Sequence, residues 1–262
     1  MKNFLYIILC VIFLSACAVS STGRNQITLF STNELNTMGK NSFEQMKLDV
    51  PINTDANMNQ YVQCVADAIT KQVPKSAHSG TWEVVVFESD QVNAFALPGG
   101  KIGVYTGILS IANDQEQLAA IIGHEVGHVI EQHSNERISS NALSQTGLAI
   151  ASSILEVKNI ANQNAIMAGL GVGLQYGVLM PYGRTHESEA DIVGQELMAR
   201  SGFNPKASIK LWQNMAKLNT GAPPEFMSTH PSSDTRINQL SNHLSISTPI
   251  FNQSQIRPSC NL

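Results

Sequence analysis

Apolar residues recur every three or four positions in several stretches of the chain, which is the spacing of one buried helical face. The sequence Ser31-Thr32-Asn33-Glu34 has the form of a capping box before the first stretch, and Pro74 follows the second. The pattern predicts one helix after Ser31 and further helices over 58–73, 114–132, 185–201 and 205–218.

Runs of β-branched and aromatic residues predict strands at 82–87, 93–97 and 101–105, the last two flanking Pro98-Gly99-Gly100. Such a hairpin could leave an edge exposed. Residues 142–180 are small and apolar; they predict a helical hairpin over a site or a membrane-touching surface, since neither half has the roughly 20 apolar residues of a transmembrane helix. From Gly221 onward the chain is rich in Pro and Ser, which predicts mostly irregular structure. The predicted fold is α+β and mostly α, with a small sheet.

The first residues have the pattern of a bacterial export signal. One positive charge precedes the apolar run 4–14, which is too short to span a bilayer as a helix. The run ends in Leu14-Ser15-Ala16-Cys17, which resembles a lipoprotein cleavage site and predicts acylation of Cys17. The alternative is an ordinary secretory signal or an uncleaved anchor. Ala18 after the cysteine favours the outer membrane of a Gram-negative envelope.

The net charge and the cysteines bear on which classes of partner the protein binds and on the redox state of its compartment. The 262 residues carry a net charge of −4 without a run of Lys and Arg, which argues against nucleic acid as a partner. Beyond the signal and Cys17, the remaining cysteines are Cys64 and Cys260. In an oxidising compartment they could pair, or they could be separate free thiols, and the sequence leaves both possibilities open.

The predicted helix 114–132 carries a metal-binding pattern. Residues at i and i+4 share one helical face, so His124 and His128 can reach one Zn²⁺ ion at about 2.0–2.1 Å. Glu125 would lie beside the metal and could take a proton from the water that attacks a peptide bond. The apolar residues at 118–122 predict a buried helix, where two histidines and a glutamate without a metal would be costly.

Several groups compete as the third ligand. The metzincin continuation is absent, because Glu131 and Ser134 stand where Gly and His are required. His133 lies about half a turn away from His124 on a continuous helix, so it is predicted to face elsewhere.

A distant pair of acids fits better. Glu187 and Asp191 share one face of the helix 185–201, which predicts Glu187 as the third ligand. Asp191 would accept the far N–H of a zinc-bound histidine and so fix its tautomer. Glu189 points roughly away from Glu187 and is predicted to be a solvated acid or a support for Arg184.

The two motifs, His124-Glu125-Val126-Gly127-His128 and Glu187-Ser188-Glu189-Ala190-Asp191, resemble those of a known family. This is the metallopeptidase family of HtpX, the CAAX prenyl protease and the mitochondrial Oma protease, and the chain is most similar to periplasmic members such as BepA and LoiP. The resemblance covers roughly residues 60–240. It implies a gluzincin with zinc on His124, His128 and Glu187, and Glu125 as general base and acid. Membrane-spanning members have transmembrane helices that this sequence lacks, so prenyl-protein processing is not implied.

The resemblance also implies a substrate strand. An extended substrate would pair with an exposed edge formed by Asn93, Ala94, Phe95 and Ala96, and an ordinary internal strand is the alternative. His230, in Thr229-His230-Pro231, is a candidate to stabilise the oxyanion or to approach zinc in a resting state. It could also be a simple turn residue.

The sequence therefore predicts a zinc metalloendopeptidase that cleaves misfolded or misassembled envelope proteins. Outer-membrane assembly machinery is a further candidate partner. A chaperone-like assembly factor with secondary proteolysis is the main alternative. A purely structural zinc protein is disfavoured, because such a site has no need of Glu125 or of an open coordination position.

The predicted organisation follows from these features. Residues 1–16 are the lipoprotein signal peptide, and residues 17–30 are a tether held by the lipid anchor. Residues 31–245 form the zinc metallopeptidase domain, and residues 246–262 form a C-terminal tail.

Overall fold

The computed structural model describes residues 17–142, 183–217, 225–230 and 234–262. The predicted signal peptide lies outside the described residues, as does almost all of the apolar segment 142–180 for which a helical hairpin was predicted. Within the described ranges, no helix has the length and apolar character needed to cross a membrane. Helices predominate there over small sheets, which confirms the prediction of a mostly helical α+β fold.

The segment that was predicted as a tether is instead folded against the domain. Strand β1 (Cys17–Val19) pairs antiparallel with β2 (Asn25–Ile27). Within this N-terminal hairpin (residues 17–27), Ser20 and Gln26 are buried, and the Gln26 amide donates to the backbone oxygen of Glu131 at 2.7 Å. The polar composition concealed this packing, because the polar side chains find hydrogen-bond partners in the domain rather than in water.

Two capped helices follow the hairpin. Helix α1 (Thr32–Asp49) begins after Ser31, whose hydroxyl accepts the backbone N–H of Glu34 while the Glu34 carboxylate accepts the backbone N–H of Ser31. This reciprocal pair is the predicted capping box. Helix α2 (Ala56–Thr70) begins after Asp55, whose carboxylate caps its first turn, and it confirms the second predicted helix.

The described sheet next to these helices has three strands in the order β3–β5–β4. Strand β3 (Glu83–Phe87) is parallel to β5 (Lys101–Tyr105), and β4 (Ala94–Leu97) is antiparallel to β5. Gly99 and Gly100 turn the chain between β4 and β5 with φ values of +85° and +71°, a backbone conformation that favours glycine. In the part of the chain that the structure describes, β4 is therefore an edge strand, as predicted. Its four residues are buried rather than exposed, which the prediction of an exposed edge did not anticipate.

The sheet packs on helix α3 (Gln115–Ile130), which begins after Asp114 and is almost wholly buried. Helix α4 (Arg184–Arg200) crosses α3 at very close range, and helix α5 (Lys206–Lys217) packs beside them. A Cβ atom on Gly127 would lie only 2.9 Å from the backbone oxygen of Ala190. The absence of side chains at such crossing points allows the motif of α3 to face the motif of α4 directly.

The expectation of an irregular region after Gly221 is wrong for much of its length. Helix α6 (Glu225–Thr229) is followed by the long helix α7 (Asp234–Gln253), which packs against α4 and α5. The predicted boundary between 245 and 246 lies inside α7. Ile237, Leu240 and Leu244 have helical spacing, but polar residues interrupt the pattern, because the buried positions include Arg236 and Ser247 alongside Leu240.

The open question of the two cysteines is answered by a disulfide between Cys64 on α2 and Cys260, which are separated by 196 residues in sequence. The bond joins the C-terminal residues to the body of the domain. A bridge across a loop of this length restricts the unfolded chain strongly.

We expect the double variant Cys64→Ala/Cys260→Ala to lose about 2–5 kcal/mol of the free energy of unfolding. Urea denaturation of the variant and the oxidised parent would measure the loss. Equal midpoints and slopes would contradict a stabilising role for the bridge.

Candidate metal centre

Four buried side chains meet where α3, α4 and α6 converge. His124 and His128 come from α3, Glu187 from the first turn of α4, and His230 from the residue after α6. The Nε2 atoms of His124 and His128 are 3.1 Å apart, and Nδ1 of His230 lies 3.2 Å from Nε2 of His124. Oxygen atoms of Glu187 lie 3.4 Å and 3.6 Å from Nε2 of His124 and of His128. The structure thus brings the three predicted ligands together and adds His230.

These donors fit a zinc ion. Tetrahedral ligands at about 2.0–2.2 Å from a metal are about 3.3–3.6 Å from one another, close to the observed separations. Two imidazoles and a carboxylate are also the donor types that Zn²⁺ prefers. Among the described residues, the buried carboxylates of Glu187 and Asp191 and the carboxyl group of Glu125 face one buried guanidinium, that of Arg236. A divalent cation would compensate this excess of buried negative charge.

The carboxylates of α4 are held by Arg236 of α7. Its Nη1 atom lies 2.7 Å from Glu187, and Nε and Nη2 donate to Asp191 at 2.6 Å and 2.7 Å. Burial alone would raise the pKa of Glu187, but His230, His124 and Arg236 together hold that pKa well below its ordinary value. Burial also opposes ionisation of Asp191, and Arg236 and His124 outweigh it, so its pKa is lowered as well.

Asp191 lies where the sequence placed it, behind His124. Its Oδ1 atom is 3.0 Å from Nδ1 of His124, the nitrogen that points away from the donor cluster. A carboxylate at that distance accepts the Nδ1 proton and leaves Nε2 free to bind a metal.

Glu125 lies beside the donor cluster and is also buried. Burial raises the pKa of Glu125 to about 7, although His230 and the backbone N–H of Ala96, which donates to the carboxylate, act in the opposite direction. Among the described residues, its Oε1 atom has no hydrogen-bond partner and lies 3.5 Å from Nε2 of His230. The group is therefore poised to exchange protons near neutral pH.

The edge strand reaches the same place. The backbone N–H of Tyr105 donates to the oxygen of Asn93, and Phe95 faces Gly103 in the same register. In an antiparallel pair, the backbone N–H and C=O groups of successive residues point alternately toward the partner strand and away from it. The backbone groups of Ala94 and Ala96 therefore point away from β5, to the other side of β4. That side is next to Glu125, as the hydrogen bond from Ala96 requires.

Two expectations about neighbouring residues are wrong. His133 does not face elsewhere: Nδ1 of His133 is 2.9 Å from Nδ1 of His128. Helix α3 ends at Ile130, and Gln132 has a φ of 53°, so the continuous helix assumed for His133 does not exist. The irregular backbone brings His133 back to the motif.

Glu189 is not a solvated acid, because only 4% of the residue is exposed. It accepts hydrogen bonds from the side chains of Ser20, Thr22 and Arg24 in the N-terminal hairpin. The possible partner Arg184 is exposed instead. No local pattern in the sequence signals these contacts, because the residues that they join are more than 160 positions apart in the chain.

The site has the arrangement of a metallopeptidase: two histidines one helical turn apart, a distant glutamate, and a second glutamate beside the cluster. The chain belongs to peptidase family M48, whose family model matches residues 55–244. This confirms both the predicted family and the predicted class of enzyme.

Curated relatives come from bacteria and mitochondria. The mitochondrial metalloendopeptidase OMA1 of Schizosaccharomyces pombe is 35% identical over 161 residues, which are 61% of this chain and 45% of that protein. The beta-barrel assembly-enhancing protease of Yersinia pestis is 29% identical over 217 residues, 78% of this chain and 43% of its own. The protein of that name from Escherichia coli is 24% identical over 246 residues, 92% of this chain and 50% of its own. The chain thus spans half or less of the length of these relatives.

Proposed function

We propose that the chain is a zinc-dependent metalloendopeptidase that hydrolyses peptide bonds in misfolded or misassembled proteins of the bacterial cell envelope. The observation that carries the proposal is the buried cluster of His124, His128 and Glu187 with Glu125 beside it. His124, His128 and Glu187 would hold one Zn²⁺ ion. When bound there, zinc supplies a Lewis acid that polarises the scissile carbonyl and acidifies water.

The protein's own groups would manage the protons. Glu125 takes a proton from the attacking water and returns it to the leaving amine, a role that suits a carboxyl group whose pKa is raised by burial. Ala96 holds the Glu125 carboxylate through its backbone N–H. Asp191 keeps the proton of His124 on Nδ1, away from the metal side of the ring.

His230 would act at the fourth position of the cluster. Its Nδ1 atom is 3.0 Å from Glu187 and 3.2 Å from His124, so it fits as a further donor in a resting form. Its Nε2 atom faces Glu125 at 3.5 Å. Once displaced from the donor position, the same imidazole could stabilise the oxyanion of the reacting peptide.

Substrate would bind along β4 as an additional strand. The segment Asn93, Ala94, Phe95 and Ala96 runs past Glu125, and its outward backbone groups lie on the side of that carboxylate. Because the N–H of Ala96 donates to Glu125, the outward groups of Ala94 and the carbonyl of Ala96 would pair with the substrate. Backbone pairing demands an extended peptide but little sequence, which suits a protease for unfolded chains.

Several features support a place in the envelope. Residues 1–16 have the pattern of a lipoprotein signal, with Cys17 as the acylated residue, and the Cys64–Cys260 bridge suits an oxidising compartment. The domain would begin with the N-terminal hairpin at the anchor and face the periplasm, most simply from the outer membrane. The bacterial relatives are named beta-barrel assembly-enhancing proteases, which supports a chaperone-like role in β-barrel assembly as the second candidate.

Removal of the metal tests the enzyme directly. We expect the purified chain to degrade unfolded casein, to lose this activity completely after dialysis against a chelator, and to regain it with about one equivalent of Zn²⁺. Peptide release and bound zinc would be measured on the same samples. Casein cleavage that persists in metal-free protein would refute the proposal.

A further inference from the structure

A chain of hydrogen-bonded side chains leads from His128 to the N-terminal hairpin. Nδ1 of His128 lies 2.9 Å from Nδ1 of His133, and Nε2 of His133 lies 3.0 Å from Oε2 of Glu189. The same oxygen accepts a hydrogen bond from Nη2 of Arg24 at 2.8 Å. We call these four side chains the His128 relay.

The His128 relay is enclosed by the fold. His128, His133 and Glu189 are buried, and no part of His133 is exposed. The hairpin closes the outer end, where the hydroxyls of Ser20 and Thr22 donate to Oε1 of Glu189. Arg24 is fixed in turn by a two-pronged pair with Glu136, with both distances 2.7 Å.

One arrangement of protons satisfies every contact in the relay. If Nε2 of His128 binds the metal, its proton must be on Nδ1, which can then donate to Nδ1 of His133. His133 must accept at Nδ1 and therefore carries its own proton on Nε2, which donates to Glu189. The ionised Glu189 accepts this bond and those of Arg24 and the hairpin hydroxyls.

We infer that His133 and Glu189 are positioning residues of the metal centre, because they orient the ring of His128. Arg24 of the N-terminal hairpin holds Glu189 in place. The inference rests on the proposed metal ligands. It gives His128 a support that parallels the support of His124, where Asp191 accepts the ring proton and Arg236 holds Asp191.

The two supports differ in where they end. The support of His124 stays within the helical core, since Asp191 is on α4 and Arg236 on α7. The support of His128 passes through a second imidazole and leaves the core for the hairpin that begins at Cys17. The hairpin is therefore a component of the metal site and not only a connection to the proposed anchor.

Zinc affinity measured by competition with a chromophoric chelator tests this assignment. We expect His133→Leu to weaken zinc binding about 10–100-fold, as is typical when a residue that orients a metal ligand is lost. His133→Asn should bind zinc more tightly than His133→Leu, because the Asn oxygen lies near the position of Nδ1 and can still accept from His128. The matched control is His243→Leu, which removes a histidine paired with Glu196 at 3.2 Å outside the donor cluster and should leave the affinity unchanged.

A double variant tests whether Arg24 acts through His133. Arg24→Met alone should weaken zinc binding in the same direction as His133→Leu. In the His133→Leu background it should add little further loss, because the path from hairpin to metal is already broken. The visible absorption spectrum of the Co²⁺ form provides a second readout, and it should change in His133→Leu and not in His243→Leu.

Failure of the inference can be told apart from failure of the proposed function. A parent protein that binds no zinc would remove the metal site itself. If the parent binds zinc, two results would overturn the relay alone. One is a zinc affinity of His133→Leu equal to that of the parent, and the other is a loss of affinity in the double variant equal to the sum of the losses from His133→Leu and Arg24→Met. Thermal unfolding of the metal-free variants shows whether each is folded. If His133→Leu is not folded, the zinc affinity of Arg24→Met is compared with that of the control Arg200→Met. Equal zinc affinities of these two variants would overturn the inference.

Discussion

Glu125→Gln should reduce kcat/KM on unfolded casein by about 10²–10⁴-fold, the contribution usually made by a general acid–base group. The amide has the size of the carboxyl group and can accept the hydrogen bond from Ala96, but it cannot take a proton from water. Because burial already opposes the charge of Glu125, a neutral side chain should fold at least as well. Rates of peptide release, with the zinc content of each sample, would measure the effect.

The matched control is Glu116→Gln, on the same helix but at the end away from the donor cluster, where its carboxylate accepts the backbone N–H of Asn204. It should keep the parent activity. Full activity in Glu125→Gln with zinc bound would remove Glu125 as the base. Loss of cleavage with retention of the biological role would instead favour the chaperone-like candidate.

Arg236→Met should be among the most destabilising single changes, at about 3–5 kcal/mol in the metal-free protein. Arg236 is buried between Glu187 and Asp191 and stacks on the ring of Trp212 at 3.9 Å. Its removal leaves two buried carboxylates without their guanidinium. Zinc would neutralise part of that charge, so the loss should be smaller with the metal bound. Urea denaturation with and without Zn²⁺ would measure both values.

Arg200→Met is the control for this change, because Arg200 forms an exposed pair with Glu196 on the surface of α4. Its loss should cost no more than about 1 kcal/mol. Equal losses for the two variants would show that Arg236 contributes no more than a surface charge. Equal losses of Arg236→Met with and without zinc would argue against a cation beside Glu187.

The parts of the site that lie on regular helices could be predicted from the sequence. His124 and His128 share a face of α3, and Glu187 and Asp191 share a face of α4, because i, i+4 spacing fixes their directions before the helices meet. The structure brings all four together. Periodicity does not determine how the helices pack, so it gives no sign of Arg236 behind them.

The parts that depend on irregular backbone could not be predicted in this way. His133 follows a break at Gln132, and the fixed rotation per residue used to place it no longer applies there. The hairpin and α7 were missed for a second reason: their buried positions include polar residues such as Gln26 and Ser247, which composition assigns to solvent. The pairing of Cys64 with Cys260 depends on the whole intervening fold.

Under the proposed acylation of Cys17, the docked hairpin would also limit how far the domain could move from the membrane. Strand β1 starts at Cys17 itself, so an acylated Cys17 would leave no slack chain between the lipid and the domain. A domain of this size has a radius of gyration of roughly 18 Å. On the same proposal, its metal centre would reach only a thin layer of the periplasm along the membrane. Polypeptides stalled at the bilayer surface would meet it often, whereas those free in the bulk periplasm would have to diffuse into that layer.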